Sequence, residues 1–419
     1  MGSTIIPIPD GDWEKDIKEK RKFKFSCFPT TISFLEENKV YVRKWIHSIK
    51  VGVALVLVSL LYFLDPLYNE VGDNNAMWAI MTVVVIFEYY AGATLGKGLN
   101  RGLGTILGGG LGCLAAILAQ KIGGIGNPLI VGAAATYMRL IPSIKKRYDY
   151  GAMIFILTFN LVSVSGLREE NVIQIARERL LMILLGFAIC ISISLFLFPM
   201  WASDELHDSA VSRFKDLANS IEGCLEVYFR FVDAKESQQT AQQPKGNFDK
   251  CKSVLQSKAK DESLVNFARW EPWHGKFGLF YPWEKYQKIG EVLRELAATI
   301  LSLEGSLLSP KEPWQNLRES IKEPCEAIGS TLAWTLRELG ESIRKMRRCE
   351  SEISIVPKLK SVREDLHEVM CPSKLGKLED TDGLAMASFV FTLMVIAEKV
   401  EKLVKEVEEL GELAGFQQN

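Results

Sequence analysis

The chain reads as an all-α membrane protein, with six transmembrane helices followed by a helical cytosolic domain. Three observations predict this. Six apolar stretches crowd between about Trp45 and Trp201, and a bilayer core demands about twenty residues of helix with its backbone polar groups satisfied internally. A mostly polar half of similar size follows and reads as soluble helices with charged faces. Lysine and arginine gather in connections that share one side of an even-numbered bundle. The division that results is a cytosolic N-terminal segment over residues 1–44, a membrane domain over 45–201 and a helical cytosolic domain over 202–419.

The N-terminal segment is charged before it is apolar and lacks a short cleavable hydrophobic core, so it does not read as a secretory signal. Gly2 suits myristoylation, but Ile6 stands where that motif wants Ser or Thr. The first span is expected over Ile49 to Leu64, with the lysine-free stretch Asp65 to Asn75 after it. The second covers Ala76 to Leu95, followed by a short connection through Lys97 and Arg101. The third occupies Gly102 to Ala119, where Gly104, Gly108 and Gly112 recur every four residues, a pattern that lets helix backbones approach closely. The fourth runs from Pro128 to Pro142, the fifth from Tyr150 to Gly166 and the sixth from Leu180 to Trp201. The N-terminal segment, Lys97 with Arg101, and Lys145-Lys146-Arg147 then share the cytosolic side with both termini. Arg168, Arg177 and Arg179 are the exceptions, because they fall on the outer side.

From Ser203 onward, Asp233 to Asp249 is too polar to bury and reads as a mobile loop. Leu384 to Ala397 is apolar for only fourteen residues, which suits a buried cytosolic helix better than a crossing. Val400, Leu403, Val407, Leu410 and Ala414 form a short seam that serves intramolecular packing or dimerisation equally well. Arg269 to Glu284 interrupts helix with prolines and carries many aromatics, which would fasten the soluble domain to itself or to the membrane bundle.

Several function classes drop out. A net charge of −1 without a basic tract threaded by aromatics gives no support to nucleic-acid binding. Eight cysteines without a CxxC pair and four scattered histidines lack metal-ligand spacing, so neither a metal nor a cofactor is expected, and the cysteines read as free thiols. Gly92-Ala-Thr-Leu-Gly-Lys97 is one residue short between its glycines for a phosphate loop, and Gly98 stands where Ser or Thr is required. Ser, His and carboxylate groups form no local catalytic pattern, so no enzyme is expected.

Ionisable groups at membrane depth are costly and face a cavity, a pore or one another. Lys97 and Arg101 share one helical face if that stretch is helical. Arg139 lies near the inner end of the fourth span, where it either faces a path or reaches the interface. Arg177 and Arg179 point to nearly opposite helix faces, so at most one meets a pore. Glu88, placed just beyond the middle of the second span, needs a neighbouring cation as partner or gate. Cations converging on a water-filled path would draw anions.

Trp78-Ala-Ile-Met-Thr-Val-Val-Val-Ile-Phe-Glu88 and Gly92-Ala-Thr-Leu-Gly-Lys-Gly-Leu-Asn-Arg-Gly102 closely resemble the aluminium-activated malate transporter family of plants. Tyr148-Asp-Tyr-Gly151, Phe155-Ile-Leu-Thr158, Ser163-Val-Ser-Gly166, Pro199-Met-Trp201, Asp204-Glu-Leu-His207 and Trp270-Glu-Pro272 extend the resemblance over nearly the whole chain after about residue 40. It implies passive conduction of malate and other anions through a homodimer in membrane lipid, with the plasma membrane preferred to the vacuolar membrane. It implies Lys97, Arg101, Arg139 and Arg179 as the anion-pathway positions, with Glu88 as charge partner or gate and Trp270, Glu271 and Pro272 as a regulatory motif.

One departure stands out. The family has a longer apolar approach to Gly132-Ala-Ala-Ala-Thr-Tyr-Met-Arg139, and Pro128 to Pro142 makes only about 22 Å of helix against a hydrocarbon core of about 30 Å. Two alternatives therefore stay open: a proton-coupled dicarboxylate carrier using Glu88, and a non-conducting subunit with a shortened fourth span.

Overall fold

The computed structural model describes residues 30–63, 76–122, 126–165, 172–233, 245–278, 280–307, 315–348, 352–369 and 381–417. Among them the chain is all-helical, with two isolated bridges and no strand. It divides into two compact units, Met1–Val53 and Ala54–Asn419. Helix α1 (Thr30–Phe63) runs through that boundary, and in the first unit Ser48 bonds back to the Lys44 carbonyl at 3.0 Å.

Five helices follow in the apolar region: α2 (Ala76–Ile86), α3 (Ala91–Ile122), α4 (Gly126–Leu140), α5 (Pro142–Ser165) and α6 (Val172–Phe196). Two of them hold an apolar stretch long enough to cross a membrane by length and composition, Tyr148–Ser165 in α5 and Ala176–Phe196 in α6; α2 holds a shorter one, Met77–Ile86. Six crossings are not carried by helix length and composition alone.

The boundaries correct the expectation in instructive places. The second apolar stretch is not one helix to Leu95: α2 stops at Ile86, the chain turns through residues 87–90, and α3 begins at Ala91. Lys97 and Arg101 therefore lie inside a helix, not in a connection. The glycines flanking Lys97 do not break α3, because a Cβ at Gly96 would stand 2.9 Å from the Trp270 ring, and Gly98 lies tightly under the Phe187 ring. Lys145, Lys146 and Arg147 are likewise within α5, because Pro142 opens that helix at its first position, where a missing N–H costs nothing. The sixth helix ends at Phe196 rather than Trp201, since Phe198 takes a φ of 48° and Pro199 follows. Helix α4 keeps the expected fifteen residues, borrowing Gly126 and Asn127. The acidic stretch after the first span and Arg168 lie outside the described residues.

The close-packing role of the α3 glycines is borne out. A Cβ at Gly104 would come within 2.6 Å of the Gly151 carbonyl oxygen, one at Gly108 within 2.6 Å of the Phe155 carbonyl oxygen, and one at Gly112 within 3.0 Å of Val162 Cβ. Each step of four on α3 meets a further turn of α5. Gly108→Ala should therefore cost about 1–3 kcal/mol through overpacking, read as a lower melting temperature in lipid nanodiscs. Gly110→Ala, with open space around its Cβ, is the control and should not destabilise.

The C-terminal half contains α7 (Ala202–Asp233), α8 (Lys245–Leu255), α9 (Lys258–Ala268), α10 (Trp283–Leu307), α11 (Gln315–Lys345), α12 (Glu352–Val369) and α13 (Thr381–Ala414). Amphipathic spacing explains their packing: Leu206, Ala210, Phe214, Leu217, Ile221, Leu225 and Phe229 on α7 recur every three or four residues and are all buried. Arg213, Asp261 and Arg294 tie α7, α9 and α10 together in a buried ion cluster, with Asp261 accepting at 2.5 and 2.6 Å from Arg213 and 3.0 Å from Arg294. The apolar run of α13 is part of this core through Phe389, Leu393 and Ile396, as expected. Its seam is consumed here too: Val400, Leu403, Val407 and Leu410 are buried within the chain, which removes it as a dimer contact. Only residues 234–244 of the expected loop lie outside the described residues, because Lys245 to Asp249 begin α8. The five described cysteines are not in disulfides.

His207 is buried beside Phe277, and its Nδ1 shares a hydrogen bond of 2.8 Å with the Tyr286 hydroxyl. Burial pushes it below the ordinary imidazole value of 6.5, against the opposing pull of Asp204 and Asp208, while Lys276 reinforces the shift. A lowered folded-state value gives stability that is full above 6.5 and lost as pH falls below it. The melting temperature should therefore fall from about pH 7 to about pH 5, and His207→Gln should flatten that dependence.

Candidate functional site

The site is built from the turn at 87–90 outward. Glu88 lies in this turn, between the end of α2 and the start of α3. Its backbone N–H donates to Thr94 Oγ1 at 3.0 Å, and the Ala91 N–H donates to the Met200 carbonyl at 3.0 Å, so the turn is held from both sides. The cation that Glu88 was expected to need is Lys97, whose Nζ donates to Glu88 Oε1. Both side chains are partly exposed, which makes this a modest, breakable pair.

Lys97, Arg101, Thr105 and Gly109 follow at four-residue steps along one face of α3. Arg101 is 6% exposed and donates from Nη1 to the Tyr150 hydroxyl at 3.2 Å. No carboxylate pairs with it among the described residues, and its Nε, like the Oγ1 of Thr105 (4% exposed), is buried without a hydrogen-bond partner there. Both residues border a cavity of about 40 Å³, and Arg179 enters the same cavity from α6. The Arg179 guanidinium lies over the Trp78 ring, 4.9 Å from its centroid, a cation–π contact that holds its direction. Arg177 is exposed, so only one of the two arginines turns inward, as expected. The cavity holds a few waters at most, well short of a small-molecule pocket.

Arg139 stands apart. It binds Asp149 through two bonds, Nε to Oδ1 at 2.6 Å and Nη2 to Oδ2 at 3.0 Å. It borders a wider groove of about 680 Å³, separated from the Arg101 cavity by Leu157 and Leu161, which border both. Of the four basic positions, Arg101 and Arg179 converge on one cavity, while Lys97 and Arg139 bind Glu88 and Asp149.

Trp270, Glu271 and Pro272 form a joint between the apolar helices and the C-terminal half. The Trp270 ring covers Gly96, and Gly92 sits against the Phe267 carbonyl and the Glu271 side chain. Glu271, 8% exposed, accepts from the Ala202 N–H at 2.6 Å and the Ser203 N–H at 3.2 Å, which caps the N-terminus of α7. His274 Nδ1–H donates to the Pro272 carbonyl at 2.8 Å, which leaves Nε2 to accept from the Ser203 hydroxyl at 3.0 Å. Trp201 stacks on that imidazole at 3.7 Å. The aromatic segment therefore does both things its composition allowed: it holds the C-terminal half together, and it seats that half on α3, the helix that carries Lys97 and Arg101.

Sequence reading missed Trp78, Tyr150 and Asp149 as partners of the basic residues, Thr105 as a neighbour of Arg101 on the cavity, and His274, Ser203 and Trp201 as members of the joint. Trp78, Asp149, Tyr150 and Trp201 stood inside the quoted motifs, but nothing local marks which side chains they meet.

Comparison with known proteins identifies the family. The family model described as aluminium activated malate transporter matches residues 38–378. Aluminum-activated malate transporter 14 of Arabidopsis thaliana is 40% identical over 365 residues, covering 84% of this chain and 67% of that protein. Aluminum-activated malate transporter 13 of the same plant is 42% identical, covering 85% and 68%. Aluminum-activated malate transporter 1 of Triticum aestivum is 37% identical over 402 residues, covering 89% and 83%. These relatives are named as malate transporters. The chain belongs to the aluminium-activated malate transporter family.

Proposed function

We propose that the chain conducts anions passively across a membrane, with malate and other small carboxylate or inorganic anions as its substrates and with Arg101 and Arg179 bordering the route. The observation that carries this is the convergence of two arginines, distant in sequence, on one cavity that Thr105 also borders. Such groups stabilise an anion without trapping it when water shares the coordination. The cavity of about 40 Å³ is too small for a dicarboxylate, so α3, α5 and α6 separate for conduction and this conformation is the closed one.

Six crossings belong to the same proposal, with both termini on the cytosolic side and the plasma membrane as the site. Support comes from α3, whose outward side chains Leu99, Leu103, Ile106, Leu107, Leu111, Leu114 and Ile117 form an exposed apolar band. That band is about 27 Å long, close to a hydrocarbon core of about 30 Å. The homodimer implied by the resemblance also belongs here, with its contact elsewhere than the α13 seam.

Lys97 and Arg139 enter as balanced cations at the margins of the route, neutralised by Glu88 and Asp149. Glu88→Gln should free the Lys97 charge and raise anion current about fivefold, the effect of about 1 kcal/mol from one charge near 4 Å in water. Voltage clamp of purified protein in planar bilayers tests the whole reading. The reversal potential should follow the anion gradient and ignore an imposed proton gradient; displacement by the proton gradient would favour a coupled carrier centred on Glu88. The fifteen-residue α4 supports one other reading, a non-conducting subunit. In that case current is absent until apolar residues are added before Pro128.

A further inference from the structure

We propose that the loop following Trp270-Glu-Pro272 is a membrane-interface anchor, in which Trp273 and Phe280 insert into the headgroup layer and seat the C-terminal half on the lipid surface. The inference rests on the membrane reading above. Its first support is level along α3. The outward apolar band of that helix begins at Leu99, and Trp270 packs on Gly96, three residues earlier and about 4.5 Å along the axis. The residues just after Trp270 are thereby held at the edge of the hydrocarbon layer, where aromatic rings with one apolar and one polar end are enriched.

The second support comes from the opposite flank of the joint. The Ala91 N–H bonds to the Met200 carbonyl, so the end of α6 stands level with the start of α3. Phe196 and Phe198, at that end, are 86% and 67% exposed, and Phe198 keeps a φ of 48°, a strained backbone for a bulky residue. The chain accepts strain where two phenyl rings project outward at the same level.

The third support is that the loop is built to hold its outer rings away from the core. Gly275, at a φ of 53°, makes the tight turn that bridges His274 to Phe277. Phe277 is buried in a ring cluster with Tyr281 and Trp283. Trp273 and Phe280 were left outside that cluster, 74% and 98% exposed, although the buried Phe277 lies within four residues of each. Lys276 between them is exposed and suits anionic headgroups. Two large rings displayed at interface level fit a lipid surface, as their exposure to water is uncompensated.

The test uses the full chain in lipid nanodiscs, with an environment-sensitive fluorophore on Phe280→Cys and, separately, on Trp273→Cys, the unsubstituted chain giving the labelling background. A third site, Leu107→Cys in the α3 band, reports whether that helix faces lipid. The expected result is blue-shifted emission at 273 and 280, quenched strongly by lipids brominated near the top of the acyl chain and weakly by aqueous iodide. If 107 is quenched by brominated lipid while 273 and 280 emit as in water and yield to iodide, the anchor is overturned and the membrane reading stands. Close approach of two labels at 280 in one particle, without lipid quenching, overturns the anchor in favour of a contact with a second copy of the chain. Iodide quenching at 107 as well overturns both.

Discussion

Arg101→Gln should reduce anion current about tenfold or more, and Arg179→Gln should do the same, with the protein still present in the membrane. A hydrogen bond from a charged donor contributes about 1.5–3 kcal/mol, which is roughly 10- to 100-fold in anion occupancy. Arg101 has the stronger case, since it is buried beside the cavity and its Nε has no hydrogen-bond partner among the described residues. Arg101→Lys keeps the charge but forfeits the fork that reaches Tyr150 and the cavity together, so it should recover only part of the current. The two arginines border one space, and their effects should be less than additive in a double mutant. Arg139→Gln should act more weakly, because its charge is already spent on Asp149.

Glu271→Ala should lower the melting temperature and abolish current together. Removing the carboxylate strips the cap from α7 and leaves the Ala202 and Ser203 N–H groups without their acceptor in a buried setting. An N-cap is worth about 1 kcal/mol and a buried unsatisfied donor about 1–3 kcal/mol, so a loss of about 2–4 kcal/mol is expected. Glu271→Gln keeps one acceptor oxygen and should fall between the two. The same carboxylate packs on Gly92 at the start of α3, so its loss also loosens the seat through which the C-terminal half holds the basic helix. Current lost at temperatures well below the lowered melting point separates that coupling from simple unfolding.

Much of this architecture was legible from residue pattern. Apolar stretches located most helices of the first half and the last helix of the second, and the four-residue spacing of Gly104, Gly108 and Gly112 named the packed face of α3. The stretch from Gly96 to Arg101 misled for a physical reason. Two glycines and two cations have the composition of a connection, and helix propensity penalises the glycines by about 1 kcal/mol each. The close approach of Trp270 and Phe187 needs those glycines inside a helix, and that contact comes from residues far along the chain. Lys97 and Arg101 share one face of α3 as their spacing required, but spacing cannot reveal that Glu88 pairs with one and that Tyr150 accepts from the other. The α7 cap was equally hidden, because its acceptor lies 69 residues beyond the N–H it serves.

The central claim is that Arg101 and Arg179 border the route by which anions cross. The reversal potential under an asymmetric salt gradient, measured on purified wild type and on Arg101→Glu with Arg179→Glu, tests it most directly. The wild type should reverse near the anion's equilibrium potential, and the double charge reversal should move that potential toward the cation's or extinguish anion current. An unaltered anion-selective reversal potential, with undiminished current, would contradict the claim.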